Sequence, residues 1–142
     1  LANGTLNDVS SGDGGVTWTG TFTPTDDIED GDNVITVATT LTDTAGNAPV
    51  SSNSTSNYAI DTTEPEVTIT DNTAGTAIGD VTYTFTFSEA VTGFATGDVV
   101  VTGGTKDTFT PVSGTEYTLV VTPTDNSTTN ITVDLAADVS VD

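Results

Sequence analysis

Residues 16–25 read VTWTGTFTPT, and residues 116–124 read EYTLVVTPT. Trp18 matches Tyr117 and Pro24 matches Pro123, both at a spacing of 99. Working outward, Asn3-Gly4-Thr5 matches Gly103-Gly104-Thr105 with one residue of slippage, and Ile35-Thr36-Val37 matches Ile131-Thr132-Val133 at a spacing of 96. The 142 residues therefore hold roughly one and a half copies of a unit of about a hundred. A repeat cut mid-period at both ends is the expected look of a window from a longer tandem array, whose modules contact mainly their neighbours. Such an organisation points to a spacer or scaffold.

The apolar period is two. Val81, Tyr83, Phe85 and Phe87 alternate with Thr82, Thr84 and Thr86; Val67 and Ile69 alternate with Thr68 and Thr70; Tyr117, Leu119 and Val121 repeat the pattern. This is the signature of strands with one buried face, and threonine suits the wet face because its branched carbon favours the pleat. Strands are expected near 67–70, 81–88, 98–103, 108–112, 116–122 and 130–138, with a further strand near 56–60 in the earlier copy. Glycine-rich turns separate them, as at Gly12-Asp13-Gly14-Gly15 and Gly103-Gly104. Assembled, the unit has seven short antiparallel strands in about a hundred residues, the arithmetic of an immunoglobulin-like β-sandwich. The fold class is thus all-β, with residues 1–61 forming the last four strands of one repeat and 62–142 the first six of the next. Thr62-Thr63-Glu64-Pro65 is the boundary; Pro65 keeps the connection stiff. Trp18, Tyr117, Phe85, Phe87 and Phe94 are expected in the core.

Composition excludes much chemistry. Twenty-one acidic residues face one base, Lys106, for a formal charge of −20, and there is no His or Cys. Neither a Ser–His nor a Cys–His pair can be built, so an enzyme is not expected. Zinc, iron and copper lack imidazole and thiolate ligands; carboxylate, amide and carbonyl oxygens are the ligand set of calcium. Nucleic acid requires a basic footprint, which is the opposite sign. No apolar run approaches the length of a membrane span, so no direct membrane insertion is expected.

The phrases FTFSEAVTGF (85–94), TFTPT (21–25), DTAGN (43–47) and NYAIDTTEPEVTIT (57–70) resemble the bacterial immunoglobulin-like (Big) tandem repeats of giant RTX-type adhesins and biofilm-associated surface proteins. The resemblance spans nearly the whole chain. It implies an extracellular or cell-surface location in a Gram-negative bacterium, a protein many modules long, and calcium rigidifying the joints between modules.

In a seven-strand sandwich the loops alternate between two ends. Glu89 opens the connection between the second and third strands and Asp98 closes it; Asp142 opens that between the sixth and seventh; Asp61 and Glu64 arrive from the linker. All are expected at one joint, where converging carboxylates are tolerated with a bound cation or raised pKa values. Asp43 and Asn47 of the DTAGN loop either bind an ion or form an Asx turn. The acidic run 26–32 fails as an EF-hand, because Ile28 takes a ligand position and no Glu follows at the required distance.

The expected function is a structural extender of a large surface or secreted adhesin, with neighbouring repeats of the same chain as partners and calcium at the linkers. Two alternatives remain open: a ligand-binding adhesion module, and a subunit of an extracellular filament that meets other chains through unpaired strands.

Overall fold

The structure, a computed structural model, describes residues 1–136. It is all-β, with no α-helix among the described residues and a single 3-10 turn at Thr96–Asp98. The chain divides into two compact units, Leu1–Glu64 and Pro65–Asp142. The first holds β1 (Gly4–Ser10), β2 (Thr19–Pro24), β3 (Glu29–Asn33), β4 (Thr36–Val37), β5 (Asn53–Ser54) and β6 (Tyr58–Asp61). The second holds β7 (Val67–Asp71), β8 (Val81–Phe87), β9 (Val99–Thr102), β10 (Gly104–Pro111), β11 (Glu116–Pro123) and β12 (Thr132–Leu135).

The second unit realises the period-two pattern directly. An antiparallel sheet in the order β10-β11-β8-β7 faces a two-stranded ladder of β9 and β12. Across β11 and β8, Tyr117 stands opposite Phe85, Leu119 opposite Tyr83 and Val121 opposite Val81. The alternate residues of β8 and β11 are threonines, Glu116 and Val120, and they take the other face. Phe85, Leu119 and Val121 are fully buried. Phe94, from the connection between β8 and β9, fills the centre of the core. Its ring meets Tyr117, Phe87, Phe85 and Phe109 edge-on at 5.0, 5.1, 5.4 and 5.6 Å. That arrangement sets positive ring edges against negative ring faces and adds to the burial of apolar area. The Tyr117 hydroxyl, buried with its ring, donates to the Val91 carbonyl at 3.1 Å.

The starts of β10 and β9 differ from expectation, each for a local reason. β10 begins at Gly104, because a bulge between Lys106 and Phe109 lets the ladder to β11 continue where the apolar alternation lapses. β9 begins at Val99, because residues 96–98 are wound into the 3-10 turn. Of the sixth expected strand, Thr132–Leu135 is observed, and residues beyond 136 lie outside the described part.

The first unit consists of three two-stranded ribbons, β1-β2, β3-β6 and β4-β5. Its first ribbon is the counterpart of the β10-β11 hairpin, pair for pair. Gly4 faces Pro24 as Gly104 faces Pro123, and Thr5 faces Thr23 as Thr105 faces Thr122. Both hairpins end on the same backbone bond, Thr25 N–H to Asn3 O at 2.9 Å and Thr124 N–H to Gly103 O at 3.1 Å. Asn3 and Gly103 share left-handed backbone, with φ of 58° and 74°. Gly4 and Gly104 are glycine for one reason: a Cβ on either would run into the partner strand, at the Thr23 or the Thr122 carbonyl.

Trp18 corrects the sequence expectation. It is 61 % exposed, whereas its counterpart Tyr117 is 7 % exposed. Tyr117 is covered because β8 pairs along the outer edge of β11; among the described residues β2 pairs with β1 alone. The first unit buries Ile60 and the polar Asn33, and Phe22 meets Tyr58 edge-on at 6.1 Å. Asn33 is buried and donates to the carbonyls of Asp30 (2.8 Å) and Tyr58 (3.3 Å), while accepting from Asn3 Nδ2 at 2.9 Å. Asn3 also donates to the Asp30 carboxylate at 2.6 Å, which ties β1 to β3.

Candidate functional site

The boundary segment is held at both of its ends. On the first unit's side, the Thr62 hydroxyl donates to Thr25 O at 2.8 Å and accepts the Ile28 N–H at 3.0 Å. The Thr62 backbone bonds Ile28 O (2.8 Å) and Asp27 N–H (3.3 Å). On the second unit's side, Glu66 N–H donates to Ser88 Oγ at 2.9 Å and Ser88 N–H donates to Glu66 O at 2.8 Å. A three-residue connection, Thr63-Glu64-Pro65, lies between these anchors. Sequence reasoning found the connection through Pro65 but missed the Thr62 anchor, whose partners lie 34 to 37 residues away.

Asp61, an expected ligand, ends β6 directly opposite Glu29 of β3. Both side chains are exposed, and like charges directly across a ladder repel. The Asp61 carboxylate accepts the Thr63 N–H at 3.4 Å. Glu64 is exposed within the connection. Glu89 and Asp98 open and close the connection between β8 and β9, at the end of the second unit where β7 begins, and both are half-buried. Asp98 closes its own turn, accepting the Ala95 N–H at 2.8 Å. Asp142 lies outside the described residues. No three acidic side chains gather as a ready-made metal cluster among the described residues.

Asp43 and Asn47 resolve as the Asx turn. One Asp43 oxygen accepts the N–H groups of Ala45 (2.9 Å) and Asn47 (2.8 Å), and the other accepts Asn47 Nδ2 at 3.0 Å. The Asn47 side chain, then its N–H, hold the Asp43 carboxyl below its ordinary pKa by favouring the charged form. A second such turn lies at Gly12-Asp13-Gly14-Gly15, which the sequence marks as a turn without showing that the Asp13 side chain closes it. Asp13 accepts the N–H groups of Thr17 (2.9 Å) and Val16 (3.1 Å) and the Ser11 hydroxyl (2.9 Å). Its carboxyl is lowered from 3.8 to about 2, chiefly by the Thr17 N–H.

The Lys106 ammonium donates to the carbonyls of Thr96 (2.8 Å) and Val99 (2.6 Å) and braces the start of β9. At the other end of the second unit lies an open groove of about 590 Å³, lined by Asp71, Tyr83, Asn130 and several hydroxyl side chains. Burial, with the Asp71 charge second, pushes the Tyr83 phenol above its ordinary pKa.

Two units in direct succession are what the comparison with protein families finds as well. A family model described as the bacterial Ig-like domain matches residues 1–60 and again residues 61–142. The chain belongs to the bacterial Ig-like domain family. Such domains are typically structural, non-enzymatic modules and usually belong to surface or extracellular proteins. No curated protein and no solved structure matches the chain. No helix among the described residues is long and apolar enough to cross a membrane.

Proposed function

We propose that these bacterial Ig-like domains are an extender of a large secreted or cell-surface adhesin of the RTX or biofilm type, and that calcium at the linkers stiffens it. One observation carries the extender reading: two family matches run end to end, and three residues separate Thr62, bonded into the first unit, from Glu66, bonded into the second. So short a connection holding a proline restricts the hinge, so repeats joined in this way add length. A strand of about eight residues spans roughly 26 Å, so each module contributes a few nanometres.

Calcium is supported by the chemistry of the donors. Carboxylate oxygens abound, imidazole and thiolate are lacking, and Glu29 and Asp61 stand side by side where a cation would relieve their repulsion. Asp61 and Glu64 would hold the ion, with Glu89 and Asp98 as further ligands and Asp142 beyond the described residues. Asp43 and Asn47, drawn together by their turn, would offer a separate carboxylate–amide pair. When bound, the ion neutralises the acidic connection and removes its freedom.

Extracellular calcium-binding modules in general have dissociation constants of about 10⁻⁴–10⁻³ M. A tenfold excess of free ion then stabilises each site by about 1.4 kcal/mol. Thermal unfolding with and without chelator, alongside small-angle scattering of a multi-repeat chain, tests this. Both melting temperature and maximum dimension are expected to fall on chelation, and Asp61→Ala is expected to mimic the chelator. If both ignored calcium, the stiffening role would be excluded while the extender reading stood.

The groove beside Tyr83 favours a second reading, a ligand-binding adhesion module that grips a hydroxyl-rich molecule. Adhesion to glycan-coated surfaces that Tyr83→Ala abolishes would establish it.

A further inference from the structure

An unpaired strand edge is a template for another strand unless charge or a bulge blunts it. In the second unit the edges of the four-stranded sheet are β7 and β10. β7 follows Glu66 and ends on Asp71, and β10 carries Lys106 and Asp107 with a bulge before Phe109. β9 has neither device. Its residues Val99–Thr102 read VVVT, its register to β12 is unbroken, and Val100 is 46 % exposed. Among the described residues no strand pairs with its other side.

The ladder fixes which groups that side presents. Ala136 N–H donates to Asp98 O at 2.7 Å, and the pairs from Val99 opposite Leu135 to Thr102 opposite Thr132 continue the same register. Bonded and non-bonded pairs alternate in an antiparallel ladder. Asp98, Val100 and Thr102 therefore turn their main-chain groups to β12, while Val99 and Val101 turn theirs away. One of these outward groups is taken: the Lys106 ammonium holds Val99 O at 2.6 Å and Thr96 O at 2.8 Å. The only basic side chain in a chain with twenty-one acids thus lies across the edge of its uncharged edge strand.

We infer that Lys106 guards this edge, and that β9 without the guard pairs with β9 of a second copy of this chain. The two strands run antiparallel about a two-fold axis, so each presents the same groups to the other. The outward groups set the register: Val99 of one copy lies opposite Val101 of the other, with Val100 on the axis. Val99 O is then the acceptor for the Val101 N–H of the second copy, and it is the atom that Lys106 holds. Charge argues for this contact between copies. Two chains at −20 repel wherever acids meet, and VVVT brings none to the shared edge. A ladder of four residues is short, so one ammonium across it suffices to keep it closed.

Sedimentation compares the parent chain with Lys106→Gln and with Lys106→Met, which keeps the aliphatic stem. At about 0.15 M salt repulsion is screened beyond about 8 Å. Both variants take the formal charge from −20 to −21, so charge alone predicts less association. The expected result is the reverse, dimerisation at least about tenfold tighter than in the parent, with Lys106→Arg behaving as the parent. The Val101 amide, open to exchange in the parent, is expected to become protected in the dimer. Val100→Lys added to Lys106→Gln sets like charges side by side at the axis and is expected to restore the monomer. Lys106→Gln and Lys106→Met chains that associate no more than the parent would overturn the inference. So would dimers that Val100→Lys leaves intact.

Discussion

The β1-β2 and β10-β11 hairpins share a register, a closing backbone bond, a left-handed first residue and a glycine pressed against the opposite strand. They differ in what lies beside them. β11 is flanked by β8 and sits over Phe94, so Tyr117 is sequestered in an aromatic cluster; among the described residues β2 is flanked on one side, and Trp18 faces solvent. Local sequence therefore determines the hairpin, and neighbouring strands determine whether it becomes core. The largest expected contrast follows directly. Tyr117→Ala removes a buried ring and its hydrogen bond and is expected to destabilise the second unit by about 3–5 kcal/mol. Trp18→Ala is expected to change stability by about 0.5 kcal/mol or less. Calorimetry of the two variants checks this, and equal losses would break the comparison.

What the hairpins share gives the next effect. Gly4→Ala and Gly104→Ala each force a methyl group against a strand carbonyl, at a cost of about 1–3 kcal/mol. Urea unfolding that finds one of them neutral would show that the two strand crossings are not equivalent. The smallest effect separates the hairpin turns. The first is closed by the Asp13 carboxylate; the second is closed by the Ser113 hydroxyl, which accepts the Thr115 and Glu116 N–H groups at 3.2 and 3.0 Å. A depressed carboxyl pKa stabilises the folded turn above the unfolded value, and that contribution is lost as pH falls through the folded one. The Val16 and Thr17 amide resonances are therefore expected to shift as pH falls from 3.8 toward about 2. The Thr115 and Glu116 bonds to a hydroxyl do not depend on an ionised acceptor. Flat titration curves at Val16 and Thr17 would remove Asp13 from the turn.

The sequence made the strands and their inward faces legible because alternation is a local property: Phe85, Phe87, Leu119 and Val121 are buried as their period requires. It could not tell that Trp18, with the same period, is uncovered, since burial depends on a strand the repeat offset does not supply. The candidate site was legible to a similar degree. Asp43 and Asn47 were visible as a turn or a ligand pair, and hydrogen bonds within five residues form the turn. The long-range Asn33 bonds and the Thr62 anchor were invisible, because they join residues 25 to 37 positions apart with no local signature.

Amide hydrogen exchange, read residue by residue along β2 and β11 in the same sample, tests the contrast most directly. On β11, which is bonded on both sides, consecutive amides from Tyr117 to Val121 are expected to be protected. On β2, protection is expected to alternate, with the amides turned away from β1 exchanging near the unfolded rate. Unbroken protection along β2 would mean that its outer edge is already paired, and the contrast between the two hairpins would be lost.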